Sequence, residues 1–557
     1  MTKKNERIYI YDTTLRDGAQ TSSVNFTAEE KMEFVKALRD FGVDYIEAGW
    51  PGANDVDNKV FDICKISIPV KDENNKSKIT AFGMTKKNGV SVENDHVISS
   101  LINSGSKFFC IVGKTWDFHV KEALNITLEQ NLICIEESVK HLKLNGFEVL
   151  YDAEHYFDAY KANKNYAINC IKTAHNAGAS WIVLCDTNGG MLPDDIFNII
   201  TETKQILPDV NIGVHMHNDT ECAVANSISG VQAGARLVQG TINGLGERCG
   251  NANLCSIIPN LMLKLNYDCG IELTKLPQLR NLSKKLDDIL NKDSNIHLPY
   301  FGSSAFAHKG GLHASAVLKN PDMYEHIKPE LVGNERKILV SNQAGKANVV
   351  AMLNKIGLND SIYISKANEI ANKIKNFETL GYTFEESDAS FEVFVKKEVN
   401  GYDEVVNNTF SVVEYDIPIK ERQYDTFFVN DVSNHIDNQN KIKYNHCKAS
   451  IDLYIKNKLY KGVEGTGTGP VNAIDDCLRK ILSQNFDVIK FVELVDYKVK
   501  IVKNSDAKST ASLIAVRIKC THNALKHKWN TVGIGTDIIR ASIDAMQDAY
   551  LYAILKY

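Results

Sequence analysis

Between Arg7 and about Thr241 the chain repeats one phrase eight times: a short apolar run rich in β-branched and aromatic residues, a polar or glycine-containing end, then a stretch with helical periodicity. The runs begin at Ile8, Tyr45, Ile79, Phe108, Val149, Ile182, Ile212 and Leu237. Strands that alternate with helices pair in parallel, and eight such units without a hairpin signal predict a closed (β/α)8 barrel rather than an open doubly wound sheet. An open dinucleotide fold would also carry a glycine-rich phosphate fingerprint after its first strand, and this chain does not. The first helix is the most clearly marked. Thr27 caps it with Glu30 at the capping-box position, Met32, Phe34, Val35 and Leu38 form its apolar face, and Gly42 ends it.

A barrel of this kind gathers its functional groups at the C-terminal ends of its strands. Asp12-Thr13-Thr14-Leu15-Arg16-Asp17-Gly18 stands at the end of the first strand and His215-Met216-His217-Asn218-Asp219 at the end of the seventh. Two imidazoles two residues apart on an extended segment project to the same face. With the hard oxygen of Asp17 they form a nitrogen and oxygen donor set without thiolate, which favours zinc, manganese, cobalt or magnesium with positions left open for substrate over a closed structural zinc. Arg16, Glu47, Glu154, Thr187 and the run Asn243 to Asn251 fall on the same rim. Metal-assisted carbonyl chemistry is the reaction class this points to.

At 557 residues the chain exceeds a single core. Lys and Arg total 64 against 69 Asp and Glu, a formal net charge of -5, which argues against nucleic acid or an anionic membrane as partner and leaves small molecules. The 12 cysteines are scattered singly without a CxxC pair, as expected of reduced thiols in the cytoplasm, and the segment Met1 to Arg7 has no apolar leader. No stretch approaches the length of a membrane span. The expected organisation is an α/β barrel over 1–275, helical linker subdomains completing the active site over 276–399, and a C-terminal α+β domain over 400–557. That last part reads as two copies of a strands-then-helix unit, with Gly467 matching Gly535 and Ala473 matching Ala541. Its string Gly465-Thr466-Gly467-Thr468-Gly469-Pro470 lacks the Gly-Lys-Ser/Thr ending of a phosphate loop.

Three strings in register, Asp12 to Gly18, His215 to Asp219 and Asn243-Gly244-Leu245-Gly246-Glu247-Arg248-Cys249-Gly250-Asn251, resemble the acetyl-CoA-dependent Claisen condensing enzymes of the metal-dependent barrel superfamily. That family includes the 2-isopropylmalate, homocitrate and citramalate synthases, and the resemblance covers nearly the whole chain. Asp17-Gly18-Ala19-Gln20, Glu47-Ala48-Gly49-Trp50-Pro51-Gly52-Ala53-Asn54, Tyr151-Asp152-Ala153-Glu154-His155-Tyr156-Phe157-Asp158 and His308-Lys309-Gly310-Gly311-Leu312-His313-Ala314-Ser315-Ala316 look most like its citramalate-forming branch. Isopropylmalate synthases usually have an acidic residue in place of Ala19 and a Ser-Pro-Glu-Asp type sequence near Glu154. An isopropylmalate synthase is the nearest alternative. A hydroxyacyl-CoA lyase is the alternative from another class, although its Gly-Gly-Cys-Pro is replaced here by Gly246-Glu247-Arg248-Cys249-Gly250.

The resemblance implies condensation of pyruvate with acetyl-CoA followed by thioester hydrolysis. It implies a divalent metal on Asp17, His215 and His217, with Asn251 as a fourth ligand or behind the ligands. Arg16 suits the developing oxyanion or enolate oxygen, and a rim salt bridge is its competing use. Glu154 takes part in deprotonating the acetyl methyl, directly or by orienting another base, and Asp152 either shapes that site or is a buried hydrogen-bond acceptor. Thr187 resembles the residue that fixes the substrate carboxylate, and Glu47 is expected to orient groups beneath the metal, within the substrate site. His313 and Tyr324 match linker positions that reach the partner subunit's barrel mouth. Phe82, Met84 and Tyr151 are candidates for closing the pocket, and each also fits core packing. The C-terminal domain resembles a regulatory, dimer-forming domain that binds the pathway end product, isoleucine for this branch and leucine for the isopropylmalate branch, near Gly467, Gly469, Pro470 and Gly535.

Overall fold

The computed structural model describes residues 6–67, 77–339, 345–379, 382–384, 387–417, 447–502 and 512–557. The chain forms two compact units, Met1–Phe306 with Ile327–Arg336, and Ala307–His326 with Lys337–Tyr557.

The first unit is a closed barrel of β1 (Tyr9–Asp12), β2 (Tyr45–Gly49), β3 (Lys78–Met84), β4 (Phe108–Lys114), β5 (Glu148–Glu154), β6 (Trp181–Asp186), β7 (Ile212–Met216) and β8 (Leu237–Gly240). Strands follow one another in sequence order, and β8 pairs in parallel with β1, Val238 opposite Ile10. Each strand starts within one residue of its expected position. Side chains alternate between two cores, because successive strand residues point to opposite faces. Tyr11, Tyr45, Phe82, Leu150, Val183 and Leu237 fill the barrel interior. Ile10, Ile46, Ala81, Tyr151, Leu184 and Val238 pack under the helices. This parity places Tyr151 outside the barrel, against Gly113, so the expectation that it closes the substrate pocket is corrected.

Helix α1 (Ala28–Phe41) carries both halves of the expected capping box: Thr27 Oγ1 accepts from the Glu30 N–H at 3.2 Å, and the Glu30 carboxylate accepts from the Thr27 N–H at 2.8 Å. Gly42 closes it in the left-handed region at φ 106°, where a side chain would be strained. Its buried face also holds Lys31, which ion-pairs with Asp57 of α2 (Asp55–Ser67). The unit continues past residue 275, where the sequence places the domain boundary. Helix Gln278–Ile289 belongs to it, tied down where Asn243 Nδ2 donates to Asp287 Oδ1 at 2.9 Å.

In the second unit, β9 (Ala307–His308) pairs with β10 (Lys337–Ile338), and helices include Gly311–Lys319, Lys346–Ile356, Ala367–Thr379 and Asp388–Asn400. There follow an antiparallel sheet of β11 (Phe410–Asp416), β12 (Cys447–Ile455) and β13 (Lys458–Gly467) with helix Pro470–Asn485, and a second of β14 (Val492–Val502), β15 (Leu513–His522) and β16 (His527–Gly535) with helix Ile538–Lys556. The duplication is therefore real. A Cβ added at Gly465 would stand 2.4 Å from the Ala473 carbonyl oxygen, and one at Gly533 would stand 2.0 Å from that of Ala541. These glycines let each helix lie directly on its sheet.

Candidate active site

The turn after β1 is closed by the Gly18 N–H donating to the Thr13 carbonyl at 3.0 Å, and it delivers Asp17 to the barrel mouth. His215 comes from β7 and His217 from just beyond it. His215 Nε2 lies 3.3 Å from Asp17 Oδ2 and 3.2 Å from His217 Nε2, and His217 Nε2 lies 4.0 Å from the same oxygen. All three side chains are buried, with ligand atoms within 4.8 Å of one another. Burial pushes the Asp17 carboxyl up, but the Arg16 guanidinium and His215 outweigh it and hold it well below the usual carboxylate range. Burial and the neighbouring His215 push His217 down to about 3, which keeps it a neutral imidazole with a lone pair to offer.

Two further observations bear on a metal. His215 Nδ1 lies 2.8 Å from Gln239 Oε1, while Gln239 Nε2 donates to Asp152 Oδ1 at 3.0 Å. A carboxylate only accepts, so the Gln239 oxygen faces the ring, Nδ1 donates to it, and Nε2 is turned toward Asp17 and His217. Asn251 Nδ2 donates to Asp17 Oδ2, while Asn251 Oδ1 is a buried oxygen without a hydrogen-bond partner among the described residues. One carboxylate, two imidazole nitrogens and an unsatisfied amide oxygen fit a divalent metal.

Beside this cluster Arg16 is fixed on three sides. Its Nε donates to Glu47 Oε1 at 2.5 Å, its Nη1 lies 3.4 Å from Asp17 Oδ1, and its guanidinium lies 3.7 Å from the centre of the Phe82 ring. Burial works against its charge, but Glu47 and Asp17 hold it firmly cationic. Glu47 itself is fully buried, with its other oxygen accepting from Tyr11 at 2.6 Å. It therefore supports Arg16 and does not face substrate, which corrects its expected place in the substrate site.

A cavity of about 290 Å³ opens over these groups. Its polar lining includes Arg16, Asp17, Asp152, Glu154, Thr187, His215 and His217, and its apolar lining Trp50, Phe82, Met84 and Val112. Glu154 is ion-paired with Lys114 at 2.5 Å, its register partner on β4. Thr187 Oγ1 accepts from the His155 N–H at 3.0 Å, which leaves its own O–H to donate. Arg248 makes a two-pronged contact with Asp219 at 2.8 Å on both arms and donates to the Thr187 carbonyl at 2.7 Å. His313 and Tyr324 lie in the second unit, their rings stacked at 4.1 Å. Gly467 and Gly535 end their strands, and Gly469 and Pro470 begin the helix after β13. A Cβ at Gly467 would meet the Ala473 nitrogen at 2.5 Å, so packing already accounts for that glycine.

Sequence reasoning did not single out Gln239 or Lys114. Gln239 had a signal, since an amide in the middle of a fully buried parallel strand is unusual and needs partners. Lys114 had none, because its partner depends on the register between β4 and β5.

The chain matches the HMGL-like family over residues 7–282, the homocitrate synthase post-HMGL domain-like family over 301–381 and the LeuA allosteric (dimerisation) domain over 388–554. It is 43% identical to the (R)-citramalate synthase of Aquifex aeolicus over 99% of this chain and 98% of that one. It belongs to the citramalate synthase family. The (R)-citramalate synthase of Geobacter sulfurreducens is 41% identical over 99% of this chain and 98% of its own length. The 2-isopropylmalate synthase of Methanocaldococcus jannaschii stands further off, at 30% identity over 98% of this chain and 94% of its own. Membership of the citramalate synthase family thus extends through the barrel, the linker and the duplicated domain. Among the described residues no helix is long and apolar enough to cross a membrane.

Proposed function

We propose that the chain condenses acetyl-CoA with pyruvate and hydrolyses the thioester, giving (R)-citramalate and CoA. The observation that carries this reading is the convergence of Asp17, His215 and His217 on one wall of a small cavity that Glu154 also lines. Asp17, His215 and His217 would hold a divalent ion, Mn, Mg, Zn or Co, with Asn251 joining them once its carboxamide turns over and its unsatisfied oxygen faces the cluster. Such an ion supplies a Lewis acid for the ketone and carboxylate oxygens of a 2-oxo acid.

The chain's own residues do the rest. Thr187 donates its hydroxyl proton to the substrate carboxylate. Glu154, released from Lys114, takes a proton from the acetyl methyl carbon, and the electron pair left behind forms the bond to C2 of pyruvate. Negative charge then gathers on the former ketone oxygen, where Arg16, already oriented by Glu47, meets it. Asp152 serves through Gln239, which holds His215 in one tautomer. The proton held by Glu154 then passes to the former ketone oxygen. Water, deprotonated by His313 beside Tyr324 within a homodimer formed through residues 388–554, which match the dimerisation domain, adds to the thioester carbonyl, and the carbon–sulfur bond breaks as the sulfur takes the proton from His313 and leaves as CoA thiol.

On this reading the chain carries out the first step from pyruvate toward isoleucine, works in the cytoplasm, and takes isoleucine as the effector of the duplicated domain. Acetyl-CoA-dependent release of CoA thiol, compared for pyruvate, 2-oxoisovalerate and 2-oxoglutarate, tests the reading. Preference for pyruvate, and inhibition of the full chain by isoleucine and not leucine, are expected. Preference for 2-oxoisovalerate would move the chain to the isopropylmalate reaction.

A further inference from the structure

The apolar wall of the cavity is built as a stack that starts at Arg16. The guanidinium covers one face of Phe82, and Trp50 meets the same ring edge-on, with centroids 5.3 Å apart and planes at 80°. Arg16 is held by Glu47 and cannot follow the ring outward. Phe82 is therefore fixed from the inside, and Trp50 decides how far the wall extends.

Trp50 is itself held in place from outside the cavity. Its backbone N–H donates to Asp57 Oδ2 at 2.9 Å, and Asn54 Oδ1 accepts the Asp57 N–H at 2.8 Å, so the turn after β2 is locked to the start of α2. Asp57 is 5% exposed and ion-paired with Lys31, 4% exposed. A Cβ at Gly49 would stand 2.6 Å from the Asp57 carboxyl carbon, so this residue must be glycine for the turn to lie over the ion pair. A buried charge pair is a costly way to hold a loop, and here it fixes the backbone that carries Trp50 into the cavity lining.

The cavity is lined by Thr187 and the Asp17, His215 and His217 cluster and also by Trp50, Phe82, Met84 and Val112, so a 2-oxo acid whose ketone and carboxylate meet the polar groups leaves its remaining substituent to the apolar ones. We propose that Trp50 is the specificity-determining residue of this cavity: its indole, carried on a backbone that Asp57 and Lys31 hold and abutting Phe82, takes the room a branched substituent needs, so that a methyl group is accepted and an isopropyl group refused. The assignment rests on the reaction proposed above and names the residue that sets its substrate size. Phe82 cannot play this part alone, since it also carries Arg16 and any change there disturbs the cation.

The test is kcat/KM of the full chain for pyruvate, 2-oxobutyrate and 2-oxoisovalerate in wild type, Trp50→Phe and Trp50→Leu, with the same metal throughout. Apolar pockets discriminate one methylene by about 10- to 200-fold. The preference for pyruvate over 2-oxoisovalerate should therefore fall at least about tenfold in Trp50→Leu, with Trp50→Phe in between. The ratio is taken within each variant, so a partial loss of folded enzyme cancels. Unchanged ratios, or a parallel loss on all three substrates, would overturn the assignment. A wild-type chain that turns over no pyruvate would overturn the reaction itself and this assignment with it.

Discussion

His215 Nδ1 lies 2.8 Å from Gln239 Oε1, and this single contact decides which nitrogen of the ring faces Asp17. Partners of this kind orient a ligand imidazole, and losing one typically costs about 10- to 100-fold in metal affinity. Gln239→Leu should lose that much affinity for Mn2+ by isothermal titration while its circular dichroism stays that of wild type. Wild-type affinity in the variant would show that Gln239 does not set the tautomer.

In the proposed reaction Glu154 takes the acetyl proton, and its ion-pair partner is Lys114. Glu154→Gln removes the base while keeping its shape, so kcat should fall by about 10²- to 10⁴-fold with little change in KM for pyruvate. Steady-state kinetics reads both. A fall in affinity with kcat preserved would make Glu154 a substrate ligand instead.

Asp12 is fully buried and accepts both the Thr14 N–H at 3.0 Å and the Thr14 hydroxyl at 2.7 Å. Burial outweighs these bonds and raises its carboxyl from the ordinary 3.8 to about 7. Between those values the folded chain keeps a proton that the unfolded chain has released, so this group's contribution makes stability fall as pH rises through the window and level off above it. Asp12→Asn removes the slope, and the variant should gain on wild type by up to about 1.4 kcal/mol per pH unit across the window. Urea unfolding at several pH values measures it, and parallel curves for the two proteins would contradict the raised carboxyl.

The Lys31 and Asp57 pair, 2.5 Å apart, is closed off from water. Removing one partner leaves a buried charge, at a cost of about 3–5 kcal/mol. Lys31→Met should lower the urea midpoint of the barrel accordingly, and Lys31→Met with Asp57→Leu should recover much of the loss. A single variant as stable as wild type would show that water reaches the pair.

The barrel was legible because its strands and helices alternate with clean periodicities, and His215, His217 and Asp17 were legible because spacing alone sets two of them on one face. Tyr151 was misplaced although the parity was within reach: Asp152 faces the cavity, so its neighbour must face the helices. Glu47 was expected to orient groups beneath the metal within the substrate site, but whether a buried carboxylate in mid-strand faces the cavity or a neighbouring arginine is decided by packing. Lys114, Trp50 and the extent of the first unit depend on register, a buried ion pair and a helix that docks after the repeat has ended, none of which leaves a local pattern. The duplicated C-terminal glycines were legible as a repeat, and the reason for them emerges only from the close approach at Gly465 and Gly533.

The proposed condensation requires a divalent metal, which Asp17, His215 and His217 would hold. Its most direct test is CoA thiol release from acetyl-CoA and pyruvate by the full chain before chelation, after exhaustive chelation, and after Mn2+ or Mg2+ is returned, with Asp17→Ala alongside. Activity should vanish on chelation and return with the ion in wild type only. Full turnover in the chelated enzyme would contradict the mechanism at its centre.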